Sequence, residues 1–168
     1  MKIQNKKRKA IYAGSFDPLH HGHLWMIREG SRMFDELVVA VGKNPAKKSA
    51  FSLEERVEMI KQVTKNLANV RVASFENDYC VNYAESVGAD YILKGLRNEQ
   101  DYWNERKQRN INGEINPAIT TIFLMTPREY EEVSSSMIKS MVGFNGWKEV
   151  VKKYLPEAVY NKFVDKYK

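Results

Sequence analysis

Cysteine is nearly absent from this sequence: Cys80 is the only one among 168 residues. A single cysteine excludes an internal disulfide and a zinc site built from cysteines, and it suits a reducing compartment. Long apolar runs are missing too, since none approaches the roughly 20 residues that a membrane-spanning helix needs. The first ten residues include five basic ones, and no apolar signal-peptide stretch follows them. We therefore expect a soluble, cytoplasmic protein without a membrane partner.

Acidic residues are outnumbered by basic ones, which gives a formal net charge of +6. This balance suits polyanionic partners, which could be nucleic acid, a membrane surface or small phosphorylated ligands. Much of the positive charge lies near the chain ends, at residues 6–9 and 152–168. Such terminal charge is usually a solvated surface. We therefore predict small phosphorylated ligands rather than nucleic acid.

The length and the apolar content indicate a single domain over residues 1–168, because 43% of the residues are hydrophobic and one core can be buried. Five short runs are nearly continuously apolar, as expected for strands buried on both faces. They cover residues 9–16, 36–42, 70–75, 90–96 and 120–125. Helical patterns alternate with them. The alternation predicts a Rossmann-like α/β fold, a doubly wound parallel five-stranded sheet with helices on both faces and further helices at the C-terminus.

Two helices have clear signals in the sequence. Ser52 and Glu55 form a capping box at the start of a helix. The apolar stripe of that helix consists of Leu53, Val57, Ile60, Val63 and Leu67. Pro156 suits the first position of a last helix. The apolar residues of the last helix are Ala158, Val159, Phe163 and Val164.

All three histidines lie within four positions, in the segment YAGSFDPLHHGHLWMI at residues 12–27. This segment follows the first predicted strand and leads into a helix that we expect to begin near Gly22 or His23. Ligands of doubly wound sheets bind beyond the carboxyl ends of the strands, and the free N–H groups of a helix N-terminus bind phosphate. The helix dipole disfavours the charged form of His23, and a neutral imidazole can still donate a hydrogen bond to phosphate.

The histidines alone leave two other interpretations open. An H-H-x-H cluster could hold a metal ion if carboxylates completed the site, although no second cluster of histidine or cysteine accompanies it. The segment could also be an ordinary turn. We favour a phosphate site and predict no metal ligands among the side chains.

Three later segments place similar chemistry after predicted strands. Lys47 and Lys48 follow the second strand, Lys94 and Arg97 surround Gly95 at the end of the fourth, and Ser134, Ser135 and Ser136 begin a helix after the fifth. The alternatives are solvated lysines and serines that only cap a helix. Because the carboxyl ends of parallel strands meet at one edge of the sheet, we expect these groups to surround one phosphate-binding crevice.

The segment GSFDPLHHGH at residues 14–23 resembles the G-x-F-D-P-x-H-x-G-H signature of the nucleotidyltransferase superfamily. Together with NPAKKSAFSLEERV, GLR, IFLM and EVSSSMIK, in this order, it makes the chain similar to the phosphopantetheine adenylyltransferases of coenzyme A biosynthesis. The resemblance extends from Ala10 to about Val159. It implies transfer of AMP from ATP to 4'-phosphopantetheine, with Mg²⁺ bridging ATP oxygens, by a homo-oligomer that is typically a hexamer.

The resemblance also implies individual roles. The catalytic residues would be His23, Lys47 and Arg97. ATP would contact Ser15, Phe16, His20, His23, Gly95, Arg97, Glu105, Ser134, Ser135 and Ser136. The acceptor would contact Ser15, Lys47, Asp78, Cys80 and Lys94.

Three places depart from the family pattern. Lys94 stands where arginine is usual, which keeps the charge but loses the bidentate fork. Trp103 and Asn104 are unusual within DYWNE, and His20 is often threonine or serine. Related enzymes act on nicotinamide mononucleotide or, with CTP, on a polyol phosphate; the R-T-x-G-I-S-T element of the cytidylyl type is absent here. The basic charge leaves one further alternative, a non-catalytic module that binds phospholigands or nucleic acid.

Overall fold

The computed structural model describes residues 7–43 and 48–168. Its strands are β1 (Lys9–Gly14), β2 (Glu36–Lys43), β3 (Val70–Glu76), β4 (Tyr91–Leu96) and β5 (Thr120–Met125). Its α-helices are α1 (His21–Met33), α2 (Leu53–Thr64), α3 (Cys80–Ser86), α4 (Glu99–Ile115), α5 (Ser135–Ser140), α6 (Trp147–Lys152) and α7 (Glu157–Lys166). A short 3-10 turn covers Arg128–Tyr130. Within these ranges, no helix has both the length and the apolar content needed to cross a bilayer.

The five strands form one parallel sheet in the order β3-β2-β1-β4-β5. The chain builds the sheet outward from β1 to β3 and then returns to add β4 on the other side of β1. The direction of winding therefore reverses between β1 and β4, and a crevice forms beyond their carboxyl ends. The predicted doubly wound α/β fold is confirmed.

Alternation along the strands creates a core on each face of the sheet. In β1, Tyr12 belongs to the larger cluster with residues of α1, α2 and α7, whereas Ile11 belongs to a smaller cluster beneath α3. In β2, Val39 and Val38 divide between the two clusters in the same way. Because β1 and β2 contribute side chains to both clusters, they are rigid supports for the loops that follow them.

The strand predictions need two corrections. The first strand ends at Gly14 rather than at residue 16, because Phe16 adopts a left-handed φ of 48° that cannot continue a strand. The runs at β3 and β5 are not buried on both faces. These two strands are the sheet edges, and most of their residues are only half-buried or exposed.

The helix predictions are correct in type and slightly displaced in position. Helix α1 begins at His21, with His20 as its N-cap. The capping box of α2 is confirmed, but its most deeply buried residues are Arg56, Met59, Ile60 and Thr64 rather than the whole predicted stripe. The face is rotated because Arg56 reaches inward to the loop after β1. Pro156 is the N-cap of α7, one position before the helix starts.

Candidate active site

A cavity of about 290 Å³ opens where β1 and β4 end. Eleven of the predicted site residues line it: Ser15, Phe16, His20, His23, Lys94, Gly95, Arg97, Glu105, Ser134, Ser135 and Ser136. They come from the loop after β1, the start of α1, the end of β4, α4 and the start of α5. The switch point of the sheet thus brings together groups that are more than a hundred residues apart in sequence.

Of the other three predicted residues, Asp78 and Cys80 are not among those that line this cavity. Lys47 lies outside the described residues. Asp78 is exposed in the turn before α3, where its carboxylate accepts hydrogen bonds from Tyr79 N and Asn82 Nδ2, both at 2.8 Å. Cys80 is partly buried at the start of α3. Burial raises the pKa of the Cys80 thiol, and the charge of Lys94 opposes this shift.

His20 and His23 cap α1 reciprocally. The Nδ1 atom of His20 accepts a hydrogen bond from His23 N, and the Nδ1 atom of His23 accepts one from His20 N, each at 3.3 Å. The two rings stack with their centroids 3.6 Å apart. Gly22 makes room for this arrangement, because a Cβ there would lie 3.2 Å from the His20 ring.

The capping bonds also determine the tautomers. Because each Nδ1 accepts a hydrogen bond, the proton of each neutral ring is assigned to Nε2. Burial and then the nearby charge of Arg97 lower the pKa of His23 from its ordinary 6.5 to about 3. Burial likewise lowers the pKa of His20, and a positive charge on His23, when that ring is protonated, lowers it further. His23 is therefore a neutral imidazole at physiological pH, as predicted, with its Nε2–H left for a ligand.

The cations at the end of β4 are each held by a carboxylate of α4. Lys94 Nζ lies 2.9 Å from Glu105 Oε2, and both side chains are largely buried. Arg97 makes a bidentate pair with Asp101, with Nε–Oδ2 at 2.7 Å and Nη2–Oδ1 at 2.9 Å. Its hydrogen bonds to Asp101 raise the pKa of Arg97 and lower the pKa of Asp101. These pairs fix two positive charges at the cavity wall.

The three serines at the start of α5 make different contacts. Ser134 is the N-cap, and its Oγ accepts from Met137 N at 3.1 Å. Ser135 donates to Pro18 O at 2.8 Å, which ties α5 to the loop after β1. Ser136 is exposed. The capping alternative is therefore correct for Ser134, which lines the cavity at the same time.

Several lining residues were missed by the sequence interpretation: Tyr12, Met26, Asp101, Thr126 and Tyr130. Tyr12 could only be assigned to a buried strand; in the fold, burial raises the pKa of its hydroxyl. Asp101 had a usable signal, because it lies four residues after Arg97 on a helix that begins at Glu99. No sequence pattern marked Tyr130.

Trp103 and Asn104 are not among the residues that line this cavity. Both are exposed on α4, and the Trp103 ring packs against the Arg106 guanidinium at 4.4 Å. Asp101 and Glu105, which share the opposite side of the helix turn, are the members of this segment that reach the cavity. The unusual pair is therefore a surface feature of α4.

Residues 7–43 and 48–168 contain no group of three or more His, Cys, Asp or Glu side chains arranged to hold a metal ion. The carboxylates that line the cavity, Asp101 and Glu105, are already paired with Arg97 and Lys94. The cations and N–H donors that line the cavity suit an anionic ligand.

Comparison with known proteins agrees with this geometry. Residues 11–141 match the family model described as cytidylyltransferase-like. The chain is 54% identical to the phosphopantetheine adenylyltransferase of Chromobacterium violaceum, over 95% of this chain and 98% of that protein. It is 50% identical to the phosphopantetheine adenylyltransferase of Neisseria meningitidis, over 96% of this chain and 95% of that protein.

Among solved structures, the Plasmodium falciparum nicotinic acid mononucleotide adenylyltransferase complexed with NaAD superposes with a TM-score of 0.72. The superposition covers 95% of each chain, and the sequences are 14% identical. This likeness shows a shared fold. The identities of 50–54% to the two phosphopantetheine adenylyltransferases extend over nearly the full length of this chain and of each relative. The chain therefore belongs to the phosphopantetheine adenylyltransferase family.

Proposed function

We infer that the protein transfers AMP from ATP to 4'-phosphopantetheine, yielding dephospho-coenzyme A and pyrophosphate. Membership of the family supports the substrates. The observation that carries the chemistry is the convergence of His23, Lys94 and Arg97 on one cavity. Two fixed cations and a neutral N–H donor suit a reaction in which negative charge on phosphate must be held and aligned.

The reaction needs no general base. An oxygen of the 4'-phosphate forms a bond to the α-phosphorus of ATP, and the bond from that phosphorus to the bridging oxygen breaks, so pyrophosphate leaves with the electron pair. The second pKa of a phosphate monoester is about 6, so the attacking oxygen is largely ionised at neutral pH. Catalysis then consists of alignment and charge stabilisation.

His23 is the donor to the α-phosphate in this mechanism. Its Nδ1 is occupied by His20 N, so its Nε2–H is the group available to an oxygen in the cavity. A neutral donor binds the phosphate without giving up its proton to the ionised attacking oxygen. His20 acts on the ring of His23 through stacking and capping, and we place it beside the ATP phosphates.

Arg97 and Lys94 hold the phosphates on the other side. Arg97 uses Nε and Nη2 for Asp101 and one Nη1 bond for Val133 O, and a guanidinium has five N–H donors, so two remain for phosphate oxygens. Lys94 forms an ion pair with Glu105, with Nζ 2.9 Å from Oε2, and its ammonium group carries three N–H donors. The carboxylates orient the cations, and the remaining donors face the substrates.

The remaining assignments follow the family pattern. We place Ser15 and Lys47 at the acceptor phosphate, together with Lys94. Asp78 and Cys80 are assigned to the pantetheine arm, next to α3. The ATP contacts are assigned to Phe16, Gly95, Glu105 and Ser134 to Ser136. These ATP-assigned residues all line the cavity.

Mg²⁺ is expected to arrive with ATP. The paired state of Asp101 and Glu105 fits a cation that takes most of its ligands from phosphate oxygens and water. When bound, it would neutralise charge on the pyrophosphate that leaves.

We further propose a cytoplasmic homohexamer. Helix α4 exposes four large apolar side chains, Tyr102, Trp103, Ile111 and Ile115, each more than 40% exposed. Apolar surface of this kind marks contact sites in soluble proteins. A reducing cytoplasm also suits the single cysteine, Cys80.

The test is pyrophosphate release by the purified protein with Mg²⁺ and ATP. Phosphopantetheine, nicotinamide mononucleotide and glycerol 3-phosphate are offered separately, and CTP replaces ATP in a parallel set. We expect turnover with ATP and phosphopantetheine alone. Turnover only with another acceptor would contradict the substrate assignment, and silence with every acceptor, accompanied by salt-sensitive DNA or RNA binding, would favour the non-catalytic module.

A further inference from the structure

Asp17 is a buried carboxylate that the mechanism above does not use. It is 5% exposed and accepts three hydrogen bonds, from Ala50 N at 2.8 Å, Phe51 N at 2.9 Å and Lys139 Nζ at 2.8 Å. Burial alone would raise its pKa, but the bonds from Lys139 and the two amides prevail and hold the pKa of Asp17 below its ordinary value. Asp17 is therefore ionised at neutral pH.

The three donors come from two other parts of the fold. Ala50 and Phe51 lead into α2, Lys139 is on α5, and Asp17 itself lies in the loop between β1 and α1. Ser135 adds a second bond from α5 to this loop, at Pro18 O. The loop is thus attached at its far end to two elements that are distant in sequence.

Arg56 holds the near end of the same loop. It is 2% exposed, and its Nη1 donates to Ser15 O at 2.7 Å. Residues 15–17 are therefore held at both ends by a buried charged group. Arg56 binds the carbonyl of Ser15 at one end, and the carboxylate of Asp17 accepts its three hydrogen bonds at the other.

Phe16, between these two attachments, has a left-handed backbone with a φ of 48°. Such a conformation is strained in a non-glycine residue and persists only where the surroundings enforce it. The Phe16 ring is 1% exposed and packs edge-on against His23, with ring centroids 5.0 Å apart. The attachments of the loop therefore determine where the ring behind His23 lies.

We propose that Asp17, supported by Lys139, is a positioning residue for AMP transfer. Asp17 holds the loop in the strained form that packs Phe16 against His23, and it thereby places the His23 imidazole for the α-phosphate. This inference rests on the proposed function, because it concerns the rate of that reaction.

The test is a double-mutant cycle between Asp17→Asn and His23→Ala, with kcat and KM for ATP measured per mole of folded protein. Asparagine keeps the shape but replaces one acceptor oxygen with a donor. We expect Asp17→Asn to lower kcat by about 10- to 100-fold, the scale of a small misplacement of a catalytic group, with little change in KM. In the His23→Ala background the same substitution should change kcat little further, because it acts through His23.

Asp35→Asn is the matched control. Asp35 also accepts from a backbone N–H, that of Arg8 at 2.7 Å, and pairs with the Arg8 side chain, but it lies at the opposite end of the sheet. We expect its kcat to stay at the wild-type value. An unchanged kcat in Asp17→Asn, or the same fold loss in both His23 backgrounds, would overturn the proposal.

Two further measurements keep the proposal testable if Asp17→Asn folds poorly. Lys139→Met removes one donor of three and should give a smaller loss of kcat, again absent from the His23→Ala background. The imidazole ¹⁵N spectrum reports on only three histidines, and Lys139→Met should shift the His23 signals of the folded protein. Unmoved signals would overturn the proposal. If the wild type transfers no AMP, the proposed function fails, and the spectra still test whether Asp17 and its partner position His23.

Discussion

At the scale of single residues, His23 has the most specific chemistry in the cavity. Its Nδ1 is occupied by a backbone N–H, its ring is supported by His20 and Phe16, and its pKa of about 3 keeps it neutral. One N–H donor is thus held in a fixed place with its protonation state determined. Such preorganised donors are among the largest contributors to catalysis of reactions that develop charge.

Replacing His23 by alanine removes this donor. We expect a loss of about 3 to 4 kcal/mol of transition-state stabilisation, which is about 10²- to 10³-fold in kcat. Steady-state kinetics with ATP and phosphopantetheine measures it. His21→Ala is the control, because His21 is outside the lining of this cavity, and it should retain most of the wild-type kcat. Wild-type turnover by His23→Ala would remove His23 from the mechanism.

The depressed pKa of His23 also makes stability depend on pH. The unfolded chain protonates this ring below pH 6.5, whereas the folded chain does so only near pH 3. Between these values the unfolded state binds more protons, so the free energy of unfolding decreases as the pH falls. Urea unfolding at pH 7, 6, 5 and 4.5 should show this decrease. His23→Gln should have a shallower dependence, and an identical slope in the two proteins would contradict the assigned pKa.

The place of His20 and His23 at the crevice could be predicted, because their spacing, the neighbouring glycines and their position after a strand all agree. The tautomer could not be predicted, because it depends on the reciprocal bonds of His20 and His23 in three dimensions. The carboxylate partner of Lys94 was equally inaccessible, since Glu105 reaches Lys94 only after α4 folds back along β4.

At the scale of elements, α2 and α5 offer a matched pair of caps. Ser52 Oγ accepts from Glu55 N and Ser134 Oγ accepts from Met137 N, both at 3.1 Å. Only Ser134 lines the cavity. A comparison of the two positions therefore separates the effect of a helix cap on the free energy of unfolding from its effect on ATP binding.

Both Ser52→Ala and Ser134→Ala should reduce the free energy of unfolding by about 1 kcal/mol. Ser52→Ala should leave the kinetics unchanged, whereas Ser134→Ala should also raise KM for ATP. Urea titrations and steady-state kinetics on both variants provide the comparison. Equal effects on KM would mean that Ser134 is a cap and nothing more.

The elements themselves were largely predictable, because strands and helices differ in apolar period. The wrong predictions concerned burial, because the position of an element in the fold changed which of its side chains are buried. The sequence of β5 reads as a buried strand, but its place at the sheet edge leaves Thr120 and Met125 exposed. The stripe of α2 appeared regular, yet Arg56 takes a buried position because the carbonyl of Ser15 is there to accept from it.

At the scale of the whole molecule, the sheet order positions every group of the site. Because β1 and β4 are neighbours, the histidines after β1 meet the cations at the end of β4 across one crevice. The doubly wound parallel class was predictable from the alternation of strands and helices, whereas the order β3-β2-β1-β4-β5 was not predicted. The size of the cavity, and the exposed apolar surface of α4, follow from packing that no local pattern contains.

The proposed hexamer makes a prediction at this scale. Sedimentation equilibrium should give a mass near six times the chain mass of 19.5 kDa. Ile111→Glu should lower that mass, because a charge placed in an apolar contact is costly to bury. Val150→Glu is the control, since Val150 is also an exposed apolar residue, at 38%, but belongs to α6 and not to α4. A monomeric wild type would contradict the hexamer, and an unchanged mass in Ile111→Glu would exclude this surface of α4 as the contact.

Our main inference is that the protein transfers AMP to phosphopantetheine in this cavity. The most direct measurement follows the label from ATP carrying ³²P at the α-position, incubated with Mg²⁺, phosphopantetheine and the purified protein. We predict that the label appears in dephospho-coenzyme A, with one unlabelled pyrophosphate for each molecule formed. Label that stays in ATP, or that appears in ADP or free AMP while phosphopantetheine is unchanged, would contradict it.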